Sequence, residues 1–426
     1  MKNNIYILSR IKYLVLLFLG LVMYSGCGKD AAPIIYDEYK DRGAVNPVVT
    51  GITPNGEAFA GYDVVTITGS NLVTGTDTAI VYFDNTAATI VEATPTQLKV
   101  KAPNTPKDSL MVRVSLRTGS KISDPQPYKL RAIMTVYYPF RFAEEPTAVT
   151  FDKQGNMYVS QRLNGVKKID KSQALTSYAP RGLGNETNWT SLKFAYGPYG
   201  ANGQLFGARK YLGIWKINPG VAPDKAPWVG PTQGIDKNVT DFDFDPQANM
   251  WVAGEGLNIF KVTPDLKVTK YKYATTGSKI TSVRVFAKGS DLYLYVGGNK
   301  DGQEGIWRYK IVNGEIAAGS EELYFDFAAK YPGKSVLGLT FSEDGDLYVG
   351  TDGSQTILIV KSSTVSETLL PGVLLPKFNS FVWDPADNYL YYSRDKLSDE
   401  TDKNPIPTLY KAFVFKKGAP YYGLTF

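Results

Sequence analysis

From residue 46 to the C-terminus the chain is written in short runs of alternating apolar and polar residues, each cut off by Gly, Pro, Asn or Asp. A period of two is the mark of half-buried strands, and the interruptions are turn chemistry. Val65 and Ile67 alternate with Thr66 and Thr68, and Gly69-Ser70-Asn71 ends the run. Ile80 to Phe83 stops at Asp84-Asn85, Leu98 to Lys101 breaks at Ala102-Pro103-Asn104, and Met111 to Leu116 alternates again. Short strands at this spacing predict a sandwich over residues 46–132.

From residue 133 the pattern repeats. A strand ending in an aromatic is followed by one carrying Leu or Met beside an aromatic, at 148–160, 191–208, 241–253, 283–297, 338–350 and 381–393. The first-strand aromatics are Phe151, Phe194, Phe244, Phe286, Phe341 and Trp383, spaced 43, 50, 42, 55 and 42 residues apart. That is close to the length of a propeller blade. A third strand follows each pair, containing 166–169, 214–217, 259–262, 306–309, 357–360 and 409–411. A lone blade cannot bury both faces of its sheet, whereas blades packed radially can, and the ring protects most strand edges. The chain is therefore expected to be all-β, an immunoglobulin-like sandwich followed by a six-bladed β-propeller over 133–426, seven blades being the alternative. Closure is expected to pair residues near 133–142 with Tyr421 to Phe426.

Two resemblances follow from these residues. The run Pro54-x-x-Gly, then Gly61 to Leu72 (GYDVVTITGSNL), and Thr96-Gln97-Leu98 to Pro103 resemble an IPT/TIG domain. The repeated cores, such as AVTFDKQGNMYVS at 148–160, resemble NHL or SMP-30-type propellers. WD40 repeats are disfavoured, since the chain has no histidine for their Gly-His signature and Trp-Asp occurs only once, at Trp383-Asp384. The combination resembles accessory lipoproteins of polysaccharide utilisation loci in Bacteroidetes-type bacteria. It implies capture of a polysaccharide or oligosaccharide beside an outer-membrane transporter and its partner lipoprotein.

The N-terminus agrees. Lys2, Arg10 and Lys12 precede an apolar run of 11 residues, Tyr13 to Met23, too short to span a bilayer, which takes about 20. Tyr24-Ser25-Gly26-Cys27 then resembles a lipobox, apart from Tyr24 where an aliphatic residue is commoner. These features imply a signal peptide over 1–26, lipidation at Cys27, a tether over 27–45 and a lipid-anchored outer-membrane protein exposed at the cell surface.

Composition mostly excludes. The absence of histidine removes Ser-His-Asp and Cys-His catalysis and every His-ligated metal, and a single cysteine removes internal disulfides and multi-Cys metal sites. Removal of three cations with the signal takes the net charge from +6 to +3, too weak and scattered for nucleic acid. No cofactor or metal is implied. The Asp241, Asp243 and Asp245 alternation has a calcium reading. However, Asp245 aligns with Asp152 and Asp384, where a carboxylate would hold the turn between the first two strands. Glu144 and Glu145 would face opposite ways as neighbours in a strand, which makes them a poor acid/base pair.

The loops joining second to third strands face the usual ligand side of a propeller. They hold Arg162, Asn164, Arg209, Tyr211, Glu255, Asn258, Asn299, Asp301, Gln303, Glu304, Asp352, Arg394 and Asp395. Planar amides, carboxylates and guanidinium groups hydrogen-bond sugar hydroxyls, and aromatic faces stack on sugar rings. Trp189 and Trp228, in inter-blade connections, and Tyr211 are the aromatic candidates. The expectation is non-catalytic glycan binding. The alternatives are a propeller enzyme (metal-dependent hydrolase or polysaccharide lyase) and a protein scaffold.

Overall fold

The computed structural model describes residues 46–73, 79–116, 122–141, 144–182, 188–395 and 407–426. The signal, Cys27 and the tether lie outside these residues, as does most of the loop after Asp395.

The first module is two sheets packed face to face. One has the order Val48–Thr53, Val64–Ser70, Gln97–Lys101, Thr89–Ala93. The other runs Glu57–Phe59, Gln126–Arg131, Lys107–Leu116, Ala79–Phe83, Thr86–Ala87. Val65, Ile67, Leu98, Val100, Val112 and Val114 point between the sheets and form the core, as period-two patterning requires. The strands Val48–Thr53 and Thr89–Ala93 carry too little alternation to stand out in the sequence, because their burial is partial.

Two residues after Gln126–Arg131 the chain enters the second module at Met134–Pro139. The junction is seated on aromatic rings. Phe59 stacks on Phe413 at 5.4 Å and Tyr62 on Phe415 at 5.2 Å, while the Arg131 guanidinium lies 5.2 Å from the Phe59 ring centre.

The second module is a ring of antiparallel strand groups. Their innermost strands are Pro146–Phe151, Ser191–Ala195, Asn238–Phe244, Ser278–Lys288, Val336–Phe341 and Phe378–Trp383. Each lies against the next in chain order, and the last returns to the first, so the ring is closed around a central channel. The third and fourth groups also join through Glu255 and Gly256 pairing with Lys279 and Ser278. The repeat residues pack between groups, with Phe151, Phe194, Phe244, Phe341 and Trp383 all buried. In the fourth group the equivalent position is Val285, which pairs with Leu294 as Phe341 pairs with Leu347. Phe286 is one residue further on and stacks on Phe341 at 4.1 Å. The expected aromatic there was thus one position out of register, because the nearest aromatic is not the one the pleat requires.

Closure also differs from expectation. Met134–Pro139 pairs with Thr408–Phe413 and supplies the outermost strand of the last group. Tyr421 to Phe426 makes no strand. It includes a short turn, Tyr422–Leu424, tied by the Tyr196 N–H donating to Gly423 O at 3.0 Å. Its aromatic side chains are consumed by the ring instead. The Arg284 guanidinium sits 4.1 Å from the Tyr421 ring centre, and Phe426 meets Phe244 edge-on at 6.1 Å. The C-terminus therefore closes the end of the channel where the innermost strands finish.

Candidate ligand-binding face

At the opposite end, where the innermost strands begin, Thr147, Thr190, Thr240, Thr281, Leu337 and Asn379 stand around the channel mouth. All but Thr190 sit at a β-bulge, seen as register shifts such as Val239/Asp241 and Ile280/Ser282. A bulge re-aims one side chain out of the ladder. Here it turns short polar groups toward the neighbouring strand group. Thr190 Oγ1 donates to Thr240 O at 2.6 Å, Thr240 Oγ1 to Ile280 O at 2.5 Å, Thr281 Oγ1 to Val336 O at 2.6 Å, and Asn379 Nδ2 to Pro146 O at 2.5 Å. The bulge opposite Gly298 explains that glycine. Its φ is +139°, and a Cβ there would stand 2.3 Å from Lys279 O.

Below this collar the channel wall is polar, and its aspartates are satisfied. Asp241 accepts from Ser282 Oγ at 3.0 Å and Val283 N at 2.7 Å. Asp243 accepts from Arg284 at 2.6 Å and Val285 N at 2.9 Å. Asp245 accepts from Asn249 N at 2.9 Å and the Trp251 indole at 2.9 Å. Asp152 and Asp384 hold the same turn elsewhere, accepting from Asn156 N and Ala386 N. The three aspartates thus serve inter-strand links and a turn. Among the described residues no cluster of three or more carboxylate or thiol ligands fits a metal.

Two clefts open at the mouth. The larger has a volume of about 800 Å³ and lies between the fourth and fifth strand groups. Lys279, Asn299, Glu304, Ser335 and Asp352 face it, with the Thr276–Ser278 turn on its rim. Its carboxylates are anchored to consecutive amides, Glu304 accepting from Val336 N and Asp352 from Ser335 N, both at 2.8 Å. Burial pushes the Glu304 carboxyl above the usual range; the Asp352 charge adds to this, while hydrogen bonds from Val336 N and Asn299 and the charge of Lys279 oppose it. Asp301 acts from behind. Its carboxylate accepts from the N–H groups of Thr275, Thr276 and Gly277, so it shapes the rim without entering the cleft. Those bonds, led by the one from Thr276 N, hold its carboxyl well below the usual carboxylate range.

The second cleft, about 310 Å³, lies across the mouth. Glu145, Arg162, Asn188, Trp189 and Asp395 face it together with the collar residues. Arg162 pairs with Glu145 at 3.1 Å. Glu144 accepts from Arg141 N at 3.0 Å; both glutamates precede the strand Pro146–Phe151, so the strand pleat does not set their directions.

Of the residues singled out in the sequence, Glu145, Arg162, Trp189, Asn299, Glu304, Asp352 and Asp395 reach the clefts. The other candidates do not line them. Trp189 is not an open stacking platform: it is 2% exposed and packs on Trp215 at 5.5 Å. Trp228 is half-buried against Phe206 at 5.1 Å, with Lys216 over its ring, because the next residue, Val229, bridges to Ile214. Arg394 is buried and donates to Pro376 O at 3.0 Å. Asn258 donates to Asp236, Gln303 to Asp326, and Glu255 pairs with Lys210 at 2.6 Å. Arg209 ends its strand beside Lys210, and the Asn164 N–H closes a turn onto Gln161 O. Tyr211 is 59% exposed at the apex of its turn, with Lys210 over its ring. Lys279, Ser335 and the collar were missed because attention went to the second-to-third strand loops. A signal for the collar was present: Thr147, Thr190, Thr240, Leu337 and Asn379 each stand four residues before the repeat aromatic.

Residues 47–130 match the IPT/TIG domain model. The first module is an IPT/TIG domain. No curated protein matches the chain. A candidate phosphatase of Bacteroides thetaiotaomicron superposes with a TM-score of 0.53 at 11% identity, over 88% of this chain and 98% of its own. A luciferin-regenerating enzyme superposes with 0.52 at 17% identity, over 68% and 98%. An auxiliary nutrient binding protein of Bacteroides thetaiotaomicron gives 0.49 at 12% identity, over 86% and 97%. Likeness at such identities concerns the fold alone.

Proposed function

We propose that the protein binds a glycan at the channel mouth without cleaving it. The observation that carries this reading is the larger cleft: an open, polar basin in which an ammonium, a side-chain amide, two carboxylates and hydroxyls are presented from strand ends. Such a surface suits many exchangeable hydroxyl contacts, and its size is that of small-ligand sites in general. The anchoring of Glu304 and Asp352 to backbone amides suits them to accept hydrogen bonds in fixed positions. In the same proposal the chain is exported, lipidated at Cys27 and held at the outer-membrane surface, where it serves an uptake transporter and its lipoprotein partner.

One observation favours a second reading. Two neighbouring carboxyls with unequal environments, one raised by burial, is how a glycosidase separates its acid from its base. Affinity electrophoresis against a panel of polysaccharides, with analysis of reducing ends, decides between them. The expected result is retardation by at least one polysaccharide with no product. Released oligosaccharide would replace binding by hydrolysis, and no retardation by any member would sink the glycan reading.

A further inference from the structure

The two clefts are parts of one surface. Thr281 and Leu337 line both, so the larger basin runs into the smaller one across the channel mouth. A compact ligand can occupy either, but only an elongated one can occupy both. The electrostatics of the two are alike. Each sets two carboxylates against one cation, Glu304 and Asp352 against Lys279 in the first and Glu145 and Asp395 against Arg162 in the second. A polyanion would meet excess negative charge at both ends, whereas hydroxyl groups find acceptors throughout.

The smaller cleft carries an independent sign of an absent partner. The Trp189 indole N–H is buried and has no acceptor, and its side chain borders the cleft. Beside Arg162, the Gln161 side chain is fully buried with neither amide atom bonded. Buried polar groups are ordinarily paired, and the Trp189 N–H borders this cleft.

Resting on the glycan-binding reading, we infer that the ligand is an extended, uncharged chain that fills both clefts at once, crossing the mouth above Thr281 and Leu337. A single sugar engages one cleft only. Linking two weak contacts in one molecule raises affinity without any new contact.

The test is calorimetric titration of the full chain with gluco-, manno- and xylo-oligosaccharides from monomer to octamer, and with oligogalacturonates. Tryptophan fluorescence is followed in parallel. For the series that binds, affinity is expected to rise roughly tenfold or more with length and then level off, with fluorescence changing only for the longer members. Lys279→Ala in one cleft and Arg162→Gln in the other, each checked for native circular dichroism, are each expected to weaken long chains several-fold. Oligogalacturonates are expected to bind more weakly than neutral chains of equal length. A monomer binding as tightly as the octamer would overturn the two-cleft inference and leave glycan binding standing. Equal affinity for oligogalacturonate would overturn the neutral class. Absence of binding across every series would fail both readings together.

Discussion

Glu304 is the residue whose ionisation the fold alters most usefully. Burial raises its folded pKa, with Asp352 adding to the effect. A carboxyl raised on folding binds its proton more tightly in the native state. Its stabilising contribution is therefore full below the unfolded value, near 4.3, and is lost as pH rises through the folded value. In thermal unfolding from about pH 4 to pH 8, the wild type is expected to lose melting temperature relative to Glu304→Gln across that window. A pH-independent difference would show that the carboxyl is not perturbed. Asp243 and Arg284 are a contrasting pair. Both are buried, at 1% and 0% side-chain exposure, and their charges are satisfied by each other and by backbone groups, so they fasten neighbouring strand groups and take no part in the clefts.

Among the elements, the junction of the two modules is the least expected. Phe59 and Tyr62 of the first module lie on Phe413 and Phe415 of the second. Phe59→Ala is expected to cost about 1–2 kcal/mol, below the ~3–5 of a fully buried ring. It should also broaden the small-angle scattering profile as the modules separate; an unchanged profile would show the seat is not what fixes them. The strands themselves were legible wherever alternation was strong, as at Val65 and Ile67 or Phe341 and Leu347. They were illegible where outer strands bury little, as at Thr89–Ala93. The candidate site was half legible. Asn299 and Asp352 stand at strand ends that are obvious, whereas Lys279 opens one strand and Ser335 immediately precedes another, each just before a bulge that sets its direction. A bulge leaves no simple trace in hydropathy, and Trp189 was misjudged because its connection folds inward over Trp215.

For the whole molecule, the proposed anchor makes the tether and the binding face parts of one design. Cys27→Ala is expected to move the protein from the membrane fraction to the soluble fraction on cell fractionation. Persistent membrane association of that variant would refute lipidation. The pairing of Met134–Pro139 with Thr408–Phe413 has a further consequence, for biosynthesis. The first ring strand to leave the ribosome must wait for nearly the last before it finds its partner. Contacts so distant in sequence slow folding, and until synthesis ends the nascent chain carries an unmatched edge that invites mispairing. Under the proposed export, a protein built this way has reason to stay unfolded in transit and to fold only when its whole length has arrived.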